Sequence, residues 1–406
     1  MTDTKNHGDN GRTFSGRGRL DQLVNELERQ KETRLDFVAD CRALNALAIE
    51  DGTEDGTVPV LQLDAPAEVD GKVNGVREFI TEPIPLNEMA FGQLCERSEP
   101  PVPVRYGRKL LAVNPAAMGN LAQETFCGTP NRRLFRCLDG HVRAVLSDSY
   151  RVMDHYDVAF QALQTCRDHG GEVIEASLDA RRMRLKFASR AVHDVLNATP
   201  GNQWEHRFYG SHDYIKRTGG RTADELPGGP GTVHPTVVIT NSETGHGSYG
   251  VSYGVLHAVC VNTSTIEDVV RGVHLGGKMD AGIWTPETVA AESQAVFLKA
   301  RDAIAAAFRP ETFRRLIDGL RPSAERAIQS PTAAANLVAS QLDLNDATRD
   351  DVMAFFVRDY TPTALGLASA ITRAAQDQLE PETAETWEAF AGELMTAPEK
   401  VLAGVE

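Results

Sequence analysis

The sharpest local pattern in the chain is Arg182-Met183-Arg184-Leu185-Lys186-Phe187. In a β-strand successive side chains point to opposite faces, so Arg182, Arg184 and Lys186 fall on one face and Met183, Leu185 and Phe187 on the other. Cations spaced ~7 Å apart match the phosphate repeat of a nucleic-acid strand. The plain alternative is the solvated outer face of a sheet, where Lys and Arg are common. More arginines surround this segment: Arg132, Arg133, Arg136 and Arg143 lie upstream, Arg151 follows, and Arg181 and Arg190 flank the basic run. Arginine grips phosphate with two donors and stacks on bases, which makes it the preferred cation for nucleic acid. The competing expectation is that several of these arginines pair with Asp139, Asp148, Asp154 and Asp157.

Two other features are candidates for chemistry. Tyr249 and Tyr253 share one face of an expected strand over 248–261, and an aromatic row can stack single-stranded bases. Such a face is more often core. Small residues on its other face (Gly250, Ser252, Gly254) predict close approach by another backbone. The loop Asn241-Ser242-Glu243-Thr244-Gly245-His246-Gly247-Ser248 is an anion cradle by composition, with Asn241, Ser242, Gly245 and Gly247 as its contacts. It lacks the lysine and the following helix of a phosphate-binding loop, so a hairpin connection is the first expectation. No cofactor motif and no metal-ligating cluster appears, and a metal site would need dispersed residues such as His206, His212 and Asp213. No catalytic residues are assigned.

The elements that must position these residues follow from periodicity. The stretch 1–18 reads as a disordered tail. Residues 19–49 show helical spacing, with Leu20, Leu23, Val24 and Leu27 on one face and Leu35, Val38 and Leu44 continuing in a second helix. An acidic loop covers 50–58 and short strand-like pieces cover 59–80. Helices are expected over 87–98, capped by Asn87, and over 115–127, opened by Pro115. Asp139-Gly140 between apolar runs predicts a hairpin over 133–146. A helix over 154–168, strands over 172–177 and 181–188, a Gly/Pro loop over 218–232, and strands over 234–240 and 248–261 follow. From 284 the spacing is helical, punctuated by Pro310, Pro322, Pro331, Pro362 and Pro381. The expected fold is α+β: a central antiparallel sheet of hairpins holding 133–146, 172–188 and 234–261, packed by helices, with a helical C-terminal third. The expected regions are 1–18 (tail), 19–128 (mainly helical), 129–283 (basic, β-rich) and 284–406 (acidic, helical).

Charge sharpens this division. The 406-residue chain carries −15 overall, which argues against a simple DNA-coating protein. Yet residues 101–222 hold 18 Lys/Arg against 12 Asp/Glu, a balance of +6. A polyanion should meet the chain on this island. The six cysteines contain no Cys-x-x-Cys pair, and most sit among apolar residues. With no secretory leader and no long apolar run, a cytoplasmic protein with free thiols and no membrane association is expected.

Several segments resemble the family called domain of unknown function 932, found on phages, plasmids and integrated elements. They are DFVADCRALNA at 36–46, FGQLCERSEPPVPV at 91–104, FRCLDGHVRAVLSDSYRVMDH at 135–155, VITNSETGHGSYGVSYGVLHAVCVN at 238–262 and ALGLASAITRAAQD at 364–377. The chain departs from the family's usual Asn-Gly after the cysteine, having Asn262-Thr263 instead. The resemblance implies a mobile-element protein active in replication, recombination or transfer. Taken with the basic island, this makes nucleic-acid binding by a homo-oligomer the expected function. The strand–hairpin–helix core with a basic face is also loosely similar to single-strand annealing proteins, which makes annealing the specific form expected. The rivals are a protein-interaction factor that docks through its acidic helical third, and an enzyme whose site combines the 241–248 loop with Asp148, Tyr150 and Arg151.

Overall fold

The computed structural model describes residues 14–16, 20–49, 60–64, 70–73, 76–79, 82–196, 232–257, 263–272, 286–359, 362–375 and 381–405. The acidic loop at 50–58, the Gly/Pro loop up to residue 231, His206, His212, Asp213 and Cys260 lie outside them.

The Asp139-Gly140 pair does what its chemistry dictates. Both residues adopt positive φ, 52° and 75°, as a two-residue primed turn needs. It joins β8 (Arg132–Leu138) to β9 (His141–Ser147). The expected second helix near Leu35 is instead a strand, β2 (Arg34–Asp40), in register with β8. Phe37 sits directly opposite Phe135, with the rings stacked at 4.9 Å. This cross-strand aromatic pair outweighs the short helical spacing read from Leu35, Val38 and Leu44. β5 (Asp70–Val73) and β6 (Val76–Phe79) extend the sheet to the order β6-β5-β2-β8-β9. A three-stranded sheet of β3 (Asn45–Ile49), β4 (Val60–Asp64) and β7 (Ile84–Pro85) lies nearby. Helices α2 (Glu88–Arg97), α3 (Val104–Val113) and α4 (Pro115–Ala122) complete this N-terminal module, and a π-turn over Gln123–Cys127 leads into β8. The Asn87 carboxamide caps α2, accepting from Ala90 N at 2.9 Å.

The second sheet has the order β1-β10-β11-β13-β14-β15, from β1 (Phe14–Gly16), β10 (Gly171–Leu178), β11 (Met183–Ser189), β13 (Thr232–Asn241), β14 (Tyr249–His257) and β15 (Thr263–Gly272). A short β12 (Asp194–Val195) pairs with β13 off that path. Every ladder is antiparallel. Two expectations change here. Phe14–Gly16, placed in a tail, pair with Ala176–Leu178. The hairpin at 132–147 also does not join this sheet. It pairs with β2, so the boundary drawn at 128/129 cuts through one sheet.

Met183, Leu185, Phe187, Val237, Ile239, Tyr249 and Val251 pack beneath α1 (Leu20–Thr33), α5 (His155–Asp168) and α6 (Pro286–Ala307). A second apolar cluster gathers α7 (Pro310–Ala324), α8 (Pro331–Gln341), α9 (Asp346–Asp359), α10 (Ala364–Ala375), α11 (Pro381–Thr396) and α12 (Pro398–Val401) against Val233 and Val255. Close approach over the small-residue strand is real. A Cβ on Gly254 would meet Ser264 O at 1.9 Å, and one on Gly392 of α11 would meet Thr265 O at 1.7 Å. No helix among the described residues is long and apolar enough to cross a membrane.

Candidate functional site

The basic row on β11 keeps its expected alternation but not its expected solvent. Arg184 and Lys186 are each only 4% exposed. The cause is α11, which lays Glu382, Glu385 and Glu388 along the row. At three-residue spacing these acids share one helix face. Arg182 pairs with Glu385 at 2.8 Å, Arg184 with Glu388, and Lys186 with Glu388 at 2.8 Å and with Glu175 of β10 at 2.9 Å. Burial alone would depress the Arg184 pKa, but Glu388 and Glu175 more than offset it and hold the pKa above its ordinary value. Expecting these cations on an open face was wrong because both faces of the sheet are covered. Their charge is spent inside the fold.

A second polar cluster forms where the 241–248 loop docks on the N-terminal sheet. Arg136 is fully buried. Its Nη2 donates to Asp154 at 2.6 Å and to Asp36, its cross-strand neighbour, at 3.1 Å, and its Nη1 reaches Glu243 O at 3.4 Å. Arg34 also pairs with Asp154. Arg143 pairs with the Glu243 carboxylate, which also accepts from His155 N. Burial opposes a charged Glu243, yet His155, Arg143 and Arg136 hold its pKa well below the carboxylate range. His155 Nδ1 receives the Asn241 amide at 3.0 Å, which leaves the ring proton on Nε2. Burial, only partly countered by Glu243, pushes the His155 pKa down to about 4.

This loop does not present itself as an anion cradle. The amides of Thr244 and His246 both donate to Ser242 Oγ, which itself donates to Arg181 O at 2.6 Å. Asn241 donates to Met153 O, and Asn241 and Ser242 are fully buried. Gly245, at φ 81°, lies where a Cβ would strike Leu146 at 2.8 Å, and a Cβ on Gly247 would sit 3.8 Å from Ser242 Cβ. Of the residues set beside the loop in the enzymatic expectation, Tyr150 does meet it, donating to Ser242 O at 2.8 Å. Burial raises the phenol's pKa. Asp148 is exposed and Arg151 half-buried. Tyr249 is 3% exposed and meets Phe297 edge-on at 6.3 Å, and half-buried Tyr253 packs on the same cluster. The tyrosine row is core. Among the described residues no group of three or more His, Cys, Asp or Glu converges as a metal site would require.

What remains on the surface is a corner of the N-terminal module. Arg132 is exposed and Arg133 half-buried at the start of β8. Arg97, in the last turn of α2, stands close enough to Arg133 that its pKa is lowered, by burial first and by that like charge second. None of the three makes a salt bridge among the described residues. Arg133 Nε is buried with no hydrogen-bond partner. The acids nearby answer this charge only in part. Asp40, cross-strand from Arg132 and influenced by its charge, is paired with Arg42. Glu99 accepts from Asn131, and exposed Glu96 acts on Arg97 through space without a salt bridge. Arg97 escaped the sequence reading, although a basic residue in a helix's last turn was visible. Asp36, Glu243, His155 and Glu388 also escaped it, and the one available signal was the Glu382-Glu385-Glu388 spacing.

Against known protein families, curated proteins and solved structures, the chain matches none.

Proposed function

We propose that the protein binds nucleic acid through the Arg97–Arg132–Arg133 corner rather than through β11. The observation that carries this reading is Arg133 Nε, a buried donor without an acceptor, beside a second arginine that repels it. An unsatisfied buried donor costs about 1–3 kcal/mol, and a phosphate held against the half-buried guanidinium would offset the repulsion between Arg133 and Arg97. In a chain of net charge −15, two arginines set side by side, Arg97 and Arg133, with no salt bridge among the described residues, are poorly explained by folding alone. Phosphate contacts of this kind give affinity without sequence preference. Strand annealing by a homo-oligomer, the form expected from the sequence, is the specific activity this proposal carries.

Fluorescence anisotropy with a labelled oligonucleotide, at low and moderate salt, tests this. Affinity should fall steeply as salt rises, by a logarithmic slope of roughly 0.7–0.9 per phosphate contacted. The Arg97→Gln, Arg133→Gln variant should bind more weakly with a flatter slope. No binding at low salt by a folded sample removes the proposal. A second reading, a protein-interaction factor, then leads. It is favoured by the neutralisation of Arg182, Arg184 and Lys186 within the fold.

A further inference from the structure

We infer that α3 is a stacking platform that makes the preferred ligand single-stranded; this rests on the nucleic-acid reading above. The helix Val104–Val113 turns Gly107 inward, where its missing side chain lets the backbone sit against Cys95 and Phe91 of α2, with a built Cβ at 3.0 and 3.3 Å from them. Val104 lies over Gly92, and Arg108 reaches Glu88 at 2.8 Å. The helix therefore crosses α2, whose last turn carries Arg97.

With Gly107 pinned inward, the 3.6-residue period points Arg105 and Lys109 away from the module, flanked by Tyr106 and Val113. All four are exposed, Tyr106 at 55% and Val113 at 71%. Neither Arg105 nor Lys109 makes a salt bridge among the described residues. An aromatic ring held in solvent beside two cations that make no salt bridge among the described residues suits an exposed base with its phosphates. Duplex DNA keeps its bases stacked inside, so an aromatic platform can engage only a strand whose bases are free. The cations select a polyanion, and the ring adds the preference for unpaired bases. Tyr249 and Tyr253 cannot serve this role because they are packed in the core.

The test uses the full chain and four probes: oligo(dT), a duplex of equal length, inorganic polyphosphate and poly-glutamate. Tyr106→Ala should weaken oligo(dT) about 5- to 100-fold while leaving polyphosphate within twofold, and Tyr106→Phe should retain wild-type affinity. Arg105→Gln with Lys109→Gln should weaken both. Thermal melts should match wild type, since the ring is exposed. Failure of every polyanion to bind would overturn the nucleic-acid reading itself. Binding of oligo(dT) and polyphosphate with no selective loss in Tyr106→Ala would overturn only the platform. An equal loss on the duplex would overturn the single-strand preference, and a matching loss on poly-glutamate would point to an acidic protein partner instead.

Discussion

Two arginine-rich regions of this molecule look alike as sequence and differ in physics. On β11, Arg182, Arg184 and Lys186 lie under a helix whose glutamates neutralise them. At the corner of β8 and α2, Arg132, Arg133 and Arg97 have no such cover and make no salt bridge among the described residues. A buried guanidinium Nε without an acceptor occurs in both regions, on Arg133 and on Arg184, but only Arg184 has its charge answered by a carboxylate. The strand spacing of the first region is the better match to a phosphate backbone, yet the second is the one open to a ligand. Cation spacing sets what a surface could bind, but it says nothing about whether that surface exists. On β11 the answer comes from residues more than 200 positions later in the chain.

The largest expected effect breaks the β11 network. Glu388→Ala leaves two cations buried with only Glu175 between them. Removing one partner from a buried charge group costs about 3–5 kcal/mol. Urea denaturation should show that loss as a lower midpoint. A variant as stable as wild type would mean that Arg184 and Lys186 reach solvent after all, and would return β11 to the list of binding surfaces.

The second effect tests the junction at the 241–248 loop, which holds buried charge of the same kind. His155 is neutral there, with a pKa near 4 against an ordinary 6.5, among Glu243, Arg143, Arg136 and Asp154. A histidine whose folded pKa is depressed binds its proton first in the unfolded chain. Stability should therefore be unaffected by His155 above pH 6.5 and fall as pH drops from 6.5 to about 4, by roughly 3 kcal/mol in all. Glu243 acts separately. Its stabilisation is present above the ordinary carboxylate pKa and is lost only as pH falls toward its depressed one. His155→Gln should flatten the slope between pH 6.5 and 4 while leaving the steeper acid limb. An unchanged slope would place the proton-linked step elsewhere.

These buried networks also mark the limit of what was legible in the sequence. Local chemistry read well: the Asp139-Gly140 turn, the Asn87 cap, the alternation along 182–187, and the helices opened by Pro310, Pro331 and Pro381 all appear, although Pro322, expected to break a helix, lies inside α7. Non-local pairing read poorly. Arg34–Asp40 carries a helix-like spacing over too few residues to decide, and only its partner β8 makes it a strand. The two sheets looked like one because nothing within 133–146 says which strand it will meet. The loop at 241–248 suggested an anion site because its donors were visible and their internal acceptor, the Ser242 hydroxyl, depends on the loop's fold.

The smallest effect is the sharpest test of the comparison, because its sign is opposite. Arg133→Leu removes a buried donor that has no acceptor and relieves the like-charge strain on Arg97. Its neighbours on β8, Leu134 and Phe135, are buried and untouched by the change. If the arginine is kept for a ligand, the free protein should gain stability, by about 0.5–1 kcal/mol, while losing affinity for oligonucleotide. Removing charge on β11 should do the reverse: Arg184→Leu leaves Glu388 with a buried excess of negative charge and lowers stability without a specific effect on binding. Paired thermal melts and anisotropy titrations on the two variants read both outcomes. If Arg133→Leu destabilises as Arg184→Leu does, the corner is scaffold as well, and the asymmetry between the two regions disappears.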